Sequence, residues 1–199
     1  MISEIKNVFV LAPHADDTEF GCGGLIARLS ENGANIYSLV FSAVEERKEE
    51  MLKASTILGI KKCYLFNLPM RNLDKHRQKI LDRLIEMKNR FKPDLVLQPS
   101  LIDIHQDHQV VAKEGVRAFK GTNLWAYEVL PNNFTFDFQL FVALSEGQVE
   151  KKIKAIKCYQ SQNHRKYLDE GFIRGLARVR GVQVNIEYAE AFSIIRQIL

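Results

Sequence analysis

Residues 7–24 read Asn7-Val8-Phe9-Val10-Leu11-Ala12-Pro13-His14-Ala15-Asp16-Asp17-Thr18-Glu19-Phe20-Gly21-Cys22-Gly23-Gly24. The run 7–12 is almost purely apolar, as in a strand covered on both faces. Polar and acidic side chains crowd the positions after it. Helical spacing then appears over 23–32, with Leu25, Ile26 and Leu29 on one face and Gly33 as a natural C-cap. A strand buried on both faces, a polar turn and a helix make the opening unit of a parallel α/β sheet.

The same alternation continues outward. Strands are predicted over 35–42, 62–66, 94–98 and 123–129. Helices are predicted over 45–58, 74–91 (apolar face Ile80, Leu81, Leu84, Ile85 and Met87, with Asp74 as N-cap) and 108–119. After Pro131 the order changes. Residues 132–144 alternate Phe134, Phe136, Phe138, Leu140 and Val142, the pattern of a half-buried strand. Helices over 146–159 and 166–180 and a closing strand over 187–195 follow. The expected fold is α/β: a Rossmann-like, doubly wound, mostly parallel sheet with helices on both faces and a modified C-terminal third. We read residues 1–199 as a single domain, with 1–130 as the Rossmann-like core and 131–199 completing it.

Composition narrows the class. The chain has 199 residues, 46% hydrophobic and 26% charged, which excludes a disordered or fibrous protein. Its 28 Lys+Arg against 24 Asp+Glu give +4, but the basic residues are interspersed with acids, as in 45–50, so no nucleic-acid partner is expected. Cys22, Cys63 and Cys158 are odd in number and widely spaced, which predicts reduced thiols rather than a disulfide framework. No run approaches the roughly 20 apolar residues of a membrane span, and 1–7 has no signal-peptide core. A cytoplasmic protein is expected.

Ligands of open α/β sheets collect at the carboxyl ends of strands. The first strand ends in Pro13 to Glu19; the fourth ends in Gln98-Pro99-Ser100, followed by Asp103-Ile104-His105-Gln106-Asp107-His108. An imidazole and a carboxylate from the first loop, with an imidazole from the second, would form a facial set that leaves a position for water. That is the pattern of a catalytic zinc. Either cluster alone reads more readily as a loop hydrogen-bond pair; the two together favour metal. The glycines do not form a phosphate loop, since no Gly-Lys-Ser/Thr follows and carboxylates intervene. They are expected to let the helix pack closely.

Residues 13–24 resemble the (A/P)-H-(P/A)-D-D-x-E-x-x-G-x-G-G signature of the LmbE-like (PIG-L type) N-acetylglucosaminyl deacetylase family, and 105–108 resemble its H-x-D-H motif. Arg47-x-x-Glu50, Tyr127-Glu128, Tyr159-x-Ser161-Gln162 and Ala189-Glu190-Ala191-Phe192 extend the resemblance along the chain. It implies a zinc-dependent amidase that removes acetyl from an N-acetylated amino sugar, in a family with several oligomeric members. By motif position, His14, Asp17 and His108 would bind the metal (Zn2+, with Fe2+ or another divalent ion as alternatives). Asp16 would be the general base and His105 the oxyanion stabiliser or acid, while Asp107 would orient a histidine. Ala15 replaces the commoner proline, and the short loop 43–46 leaves sugar specificity open.

Arg47, Arg71, Glu128 and His164 are the candidates for substrate contact; a solvated side chain is the plainer reading for Arg71 and His164, and an equal one, or a simple ion pair, for Arg47 and Glu128. Arg47 and Arg71 suit an anionic group on the sugar or glycoconjugate. Cys22 and Trp125 read as packing, His76 as exposed, and the aromatics at 134–138 as core or oligomer contact. The rival functions are a metallohydrolase of another N-acyl compound and a non-catalytic sugar-binding relative.

Overall fold

The computed structural model describes residues 4–198. β1 (Asn7–Ala12), β2 (Asn35–Val40), β3 (Lys62–Leu65), β4 (Leu95–Pro99) and β5 (Asn123–Tyr127) are parallel, in spatial order β3-β2-β1-β4-β5. β7 (Tyr188–Arg196) pairs antiparallel with β5, and β6 (Leu140–Leu144) pairs antiparallel with β7. The sheet is therefore mixed and seven-stranded. The expected α/β fold is present, and the modified C-terminal third is its antiparallel side.

Alternation along β1 explains its unbroken apolar sequence. Val8, Val10 and Ala12 pack with α1 (Asp17–Glu31), α2 (Glu45–Leu58), α5 (Glu146–Ile156) and α6 (Glu170–Val182). Phe9 and Leu11 face α3 (Arg77–Phe91) and α4 (Gln106–Ala118). Both faces are dry, so both sets of side chains must be apolar. Among the described residues no helix is long and apolar enough to cross a membrane.

α1 begins at Asp17, ahead of the predicted start at 23, and contains a break at Cys22, whose φ is −148°. N–H groups near the break point out of the helical ladder. Those of Gly24 and Leu25 are taken by the Glu190 carboxylate at 2.9 and 2.7 Å, and Lys152 Nζ balances that carboxylate at 2.7 Å. The glycines have the expected packing role. A Cβ on Gly21 would lie 2.3 Å from the Tyr127 ring, and one on Gly24 would lie 2.4 Å from Leu144.

Other boundaries differ from expectation as well. The strand predicted over 132–144 exists only as β6, and Phe134 is 84% exposed. β5 and β6 pair with opposite edges of β7, and the β6–β7 ladder stops at Leu140 opposite Phe192, so the chain at 134–139 lies outside the sheet. Phe138 instead lies under the Arg180 guanidinium and packs on Phe141. The helix predicted over 166–180 is a short 3-10 turn, Lys166–Leu168, followed by α6, whose first turn is capped by Asp169. Asp74 makes no side-chain cap; it lies in the 3-10 turn Leu73–His76 before α3. The helix predicted over 146–159 ends as α5 at Ile156. Trp125 is core, as expected, with its indole N–H donated to Gln197.

Candidate active site and metal centre

β1 and β4 are neighbours, but the chain leaves β1 towards β2 and leaves β4 towards β5. The two connections diverge and open a crevice at the carboxyl ends of these strands. Loop 13–16 and loop 100–105 border it, each running straight into a helix N-terminus. Partial positive charge at those two termini favours carboxylates in the first turns, where Asp17 and Asp107 lie.

His14 Nδ1 and His108 Nε2 approach the same Asp17 oxygen, at 3.2 and 3.3 Å. All three side chains are buried, and their ligand atoms lie within 4.8 Å of one another. Two ligands of a tetrahedral zinc, each at about 2.0–2.1 Å, lie about 3.3 Å apart. The donor set thus fits a divalent ion. The backbone N–H of His14 also donates to Asp17 Oδ2 at 2.7 Å, which fixes the carboxylate.

Each imidazole is held from behind. His14 Nε2 meets Asp107 Oδ2 at 3.0 Å, and His108 Nδ1 meets Asp103 Oδ2 at 2.8 Å. Asp103 and Asp107 are wholly buried. Carboxylates in this position fix the ring orientation and raise the basicity of the nitrogen facing the ligand site. Burial alone would push both histidines down. Asp107 and Asp17 instead raise His14 to about 9, and Asp17 and Asp103 raise His108 to about 10. Asp17 is held well below the usual carboxylate range, because His108 and His14 override its burial. The cluster attracts positive charge at one point, which protons or a divalent cation can supply.

Asp16 lines the same cleft outside that ligand set. Burial and the adjacent Asp17 raise its pKa, while Arg47, 4.0 Å away, opposes the rise. His105 is displaced downwards by burial and by the neighbouring His108 and His14, which favours its neutral form. Its Nδ1 accepts the N–H of Asp107 at 3.2 Å as the cap of α4. The ring proton therefore resides on Nε2, which makes that atom a donor. Glu19 is enclosed, and neither of its oxygens has a hydrogen-bond partner. Burial pushes its carboxyl up to about 8, with Asp16 and Asp17 adding to the effect.

Of the four residues read as substrate contacts, Arg47 and Arg71 line the cleft. Glu128 does not. It is bound by the Arg180 guanidinium and lines a separate, largely apolar pocket with Phe20 and Lys152, so its charge is already matched. His164 is exposed beside Lys157 and Asp169, in a different surface depression. The sequence reading did not single out Asp103 as a histidine partner or Arg165 and Tyr167 as cleft residues. Asp103 stands five positions before His108, a spacing that could have marked it; Arg165 lies just before the 3-10 turn that holds Tyr167, and neither belongs to a motif.

Comparison with known proteins follows this geometry. The PIG-L family model, described as GlcNAc-PI de-N-acetylase, matches residues 9–119. The diacetylchitobiose deacetylase of Thermococcus kodakarensis is 22% identical over 227 residues, covering 97% of this chain and 84% of the relative. The N,N'-diacetylchitobiose deacetylase of Pyrococcus horikoshii matches with a TM-score of 0.82 at 22% identity, over 98% of this chain and 85% of that one. A zinc-inhibited form of teicoplanin deacetylase Orf2 matches at 0.78 and 14% identity, over 94% and 97% of the two chains. The 4-carboxy-2-hydroxymuconate hydratase of Pseudomonas putida KT2440 matches at 0.81 and 22% identity, over 98% of each chain. These structures establish a shared fold. Since a hydratase shares it too, the reaction has to be argued from the site.

Proposed function

The chain belongs to the PIG-L family of GlcNAc-PI de-N-acetylases, and from that premise we propose that it hydrolyses the N-acetyl amide of an amino sugar or its conjugate, using a zinc ion. The observation that carries this reading is the convergence of His14 Nδ1 and His108 Nε2 on Asp17 Oδ2, with each histidine held from behind by a buried carboxylate.

A divalent metal bound there would supply a Lewis acid and a water of lowered pKa, about 7 for zinc. Asp16 is the general base. Its carboxyl sits off the ligand set, and a raised pKa suits a group that must take a proton and return it. His105 presents Nε2–H to the cleft and can donate to the oxygen that gains charge as the amide carbonyl is attacked. A neutral His105 keeps its proton for that bond, so Asp16 carries the proton from water to the departing amine nitrogen. The C–N bond breaks, and acetate and the free amine leave. Asp107 and Asp103 are positioning residues that act through His14 and His108.

The test is acetate release from N-acetylglucosamine and N,N'-diacetylchitobiose by protein of measured metal content. Activity should vanish with a chelator and return with added zinc. Absence of acetate from every N-acetyl sugar tested, with metal bound, would overturn the reading.

A further inference from the structure

The charges lining the cleft do not balance. His14 and His108 are matched by Asp17, Asp103 and Asp107, and Arg47 faces Asp16. Two further guanidinium groups, those of Arg71 and Arg165, line the same cleft. Among the described residues, neither has a carboxylate within ion-pair distance. Arg47 is not fully engaged either, because its Nε is buried without a partner.

Other residues of the site hold the backbone of Arg71 and the side chain of Arg165. Arg71 has a left-handed backbone, φ 62°, a placement that glycine or asparagine fills with less strain. Its N–H donates at 2.7 Å to Asp107 Oδ2, the oxygen that also orients His14. A bulky cation at a strained position pinned to the catalytic loop calls for an explanation beyond solvation. Arg165 belongs to the loop after α5, and Glu50 of α2 ties that loop down by accepting from Ser161 N–H and Oγ–H at 2.8 and 2.7 Å. The guanidinium lies over the Tyr167 ring and donates to its hydroxyl, while the ring packs edge-on against Phe20 at the cleft wall. Guanidinium groups without carboxylate partners recognise planar or tetrahedral oxyanions.

We propose that the substrate carries a carboxylate or phosphate group, away from the scissile amide, that Arg71 and Arg165 hold together. The inference rests on the cleft being the N-deacetylase site argued above, and it names the substrate class as anionic amino sugars.

Acetate release should be compared for N-acetylglucosamine, its 6-phosphate and its 3-O-lactyl carboxylate. One charged sugar should exceed the neutral one by at least about tenfold in kcat/KM, and the phosphate and carboxylate arms identify the anion. Higher ionic strength should narrow that ratio, and the double variant Arg71→Gln/Arg165→Gln should bring it close to one. Equal turnover of neutral and charged sugars, or a ratio that survives the double substitution, would overturn the inference and leave the deacetylase reading standing. If no sugar releases acetate, the deacetylase reading fails and calorimetry decides the inference. Binding of glucosamine 6-phosphate in preference to glucosamine, lost in the double variant, supports it; equal binding of the two sugars overturns it.

Discussion

The parallel part of the sheet and its antiparallel side both bury charge, and they treat it differently. On the antiparallel side the charges come in pairs. Lys152 meets Glu190 at 2.7 Å, and Arg180 clasps Glu128 through two nitrogens. At the ends of β1 and β4, groups gather around a single point. Two histidines approach one oxygen of Asp17, Asp16 sits beside it, and Glu19 is enclosed without a partner. Buried charge by itself is therefore no sign of a site, since a closed ion pair can be purely structural. Convergence around a common centre, with the outer nitrogens already held, is what marks chemistry here.

The largest effect belongs to Asp16→Asn. Turnover should fall by about 10²–10⁴, the usual contribution of a general base, while bound metal and the urea midpoint are kept. Loss of metal in this variant would move Asp16 into the ligand set. The mirror experiment is Glu190→Ala, which strands the Lys152 ammonium and the N–H groups of Gly24 and Leu25. Stability should drop by about 3–5 kcal/mol, as when one member of a buried pair is removed, with specific activity of the folded fraction retained. If activity disappeared at unchanged stability, the antiparallel side would belong to the site after all.

Asp103→Asn tests the boundary between the two behaviours, because Asp103 is the buried partner of His108, a proposed metal ligand. Metal affinity should weaken about 10–100-fold, read by competition with a chelator. An unchanged affinity would make the His108–Asp103 contact structural only.

How far these features are legible in sequence follows the same contrast. The parallel strands announce themselves because covering both faces demands unbroken apolar runs such as 7–12. The metal and base candidates stand out because short loops after β1 and β4 concentrate His and Asp. Residues 134–139 mislead because alternation records only which side chains prefer burial; a strand also needs backbone pairing, and the β6–β7 ladder stops at Leu140 opposite Phe192. Glu190 is similarly opaque. Its use as the cap of a broken helix depends on a break at Cys22 that the glycine run conceals. Arg165 reaches the cleft through a loop whose path is set by Glu50, more than a hundred residues earlier.

The smallest effect lies where α1 meets α5 at the surface. Glu31 accepts from Lys151 Nζ and Gln148 Nε2, each at 2.7 Å, and these bonds hold its carboxyl below the ordinary value of 4.5. A carboxyl with a lower pKa in the folded chain than in the unfolded one stabilises the fold above the unfolded value. That contribution disappears as pH falls through the folded value. Glu31→Gln should therefore flatten the acid limb of the stability profile below about pH 4.5. The side chain is 40% exposed, so solvent screens the pair and the loss at neutral pH should stay under about 1 kcal/mol, less in high salt. A larger, salt-independent loss would mean that α5 is held to α1 by this contact rather than by the burial of Val149 and Ile153. The paired charges of the antiparallel side would then be fastenings of the fold, and the contrast with the cleft would sharpen.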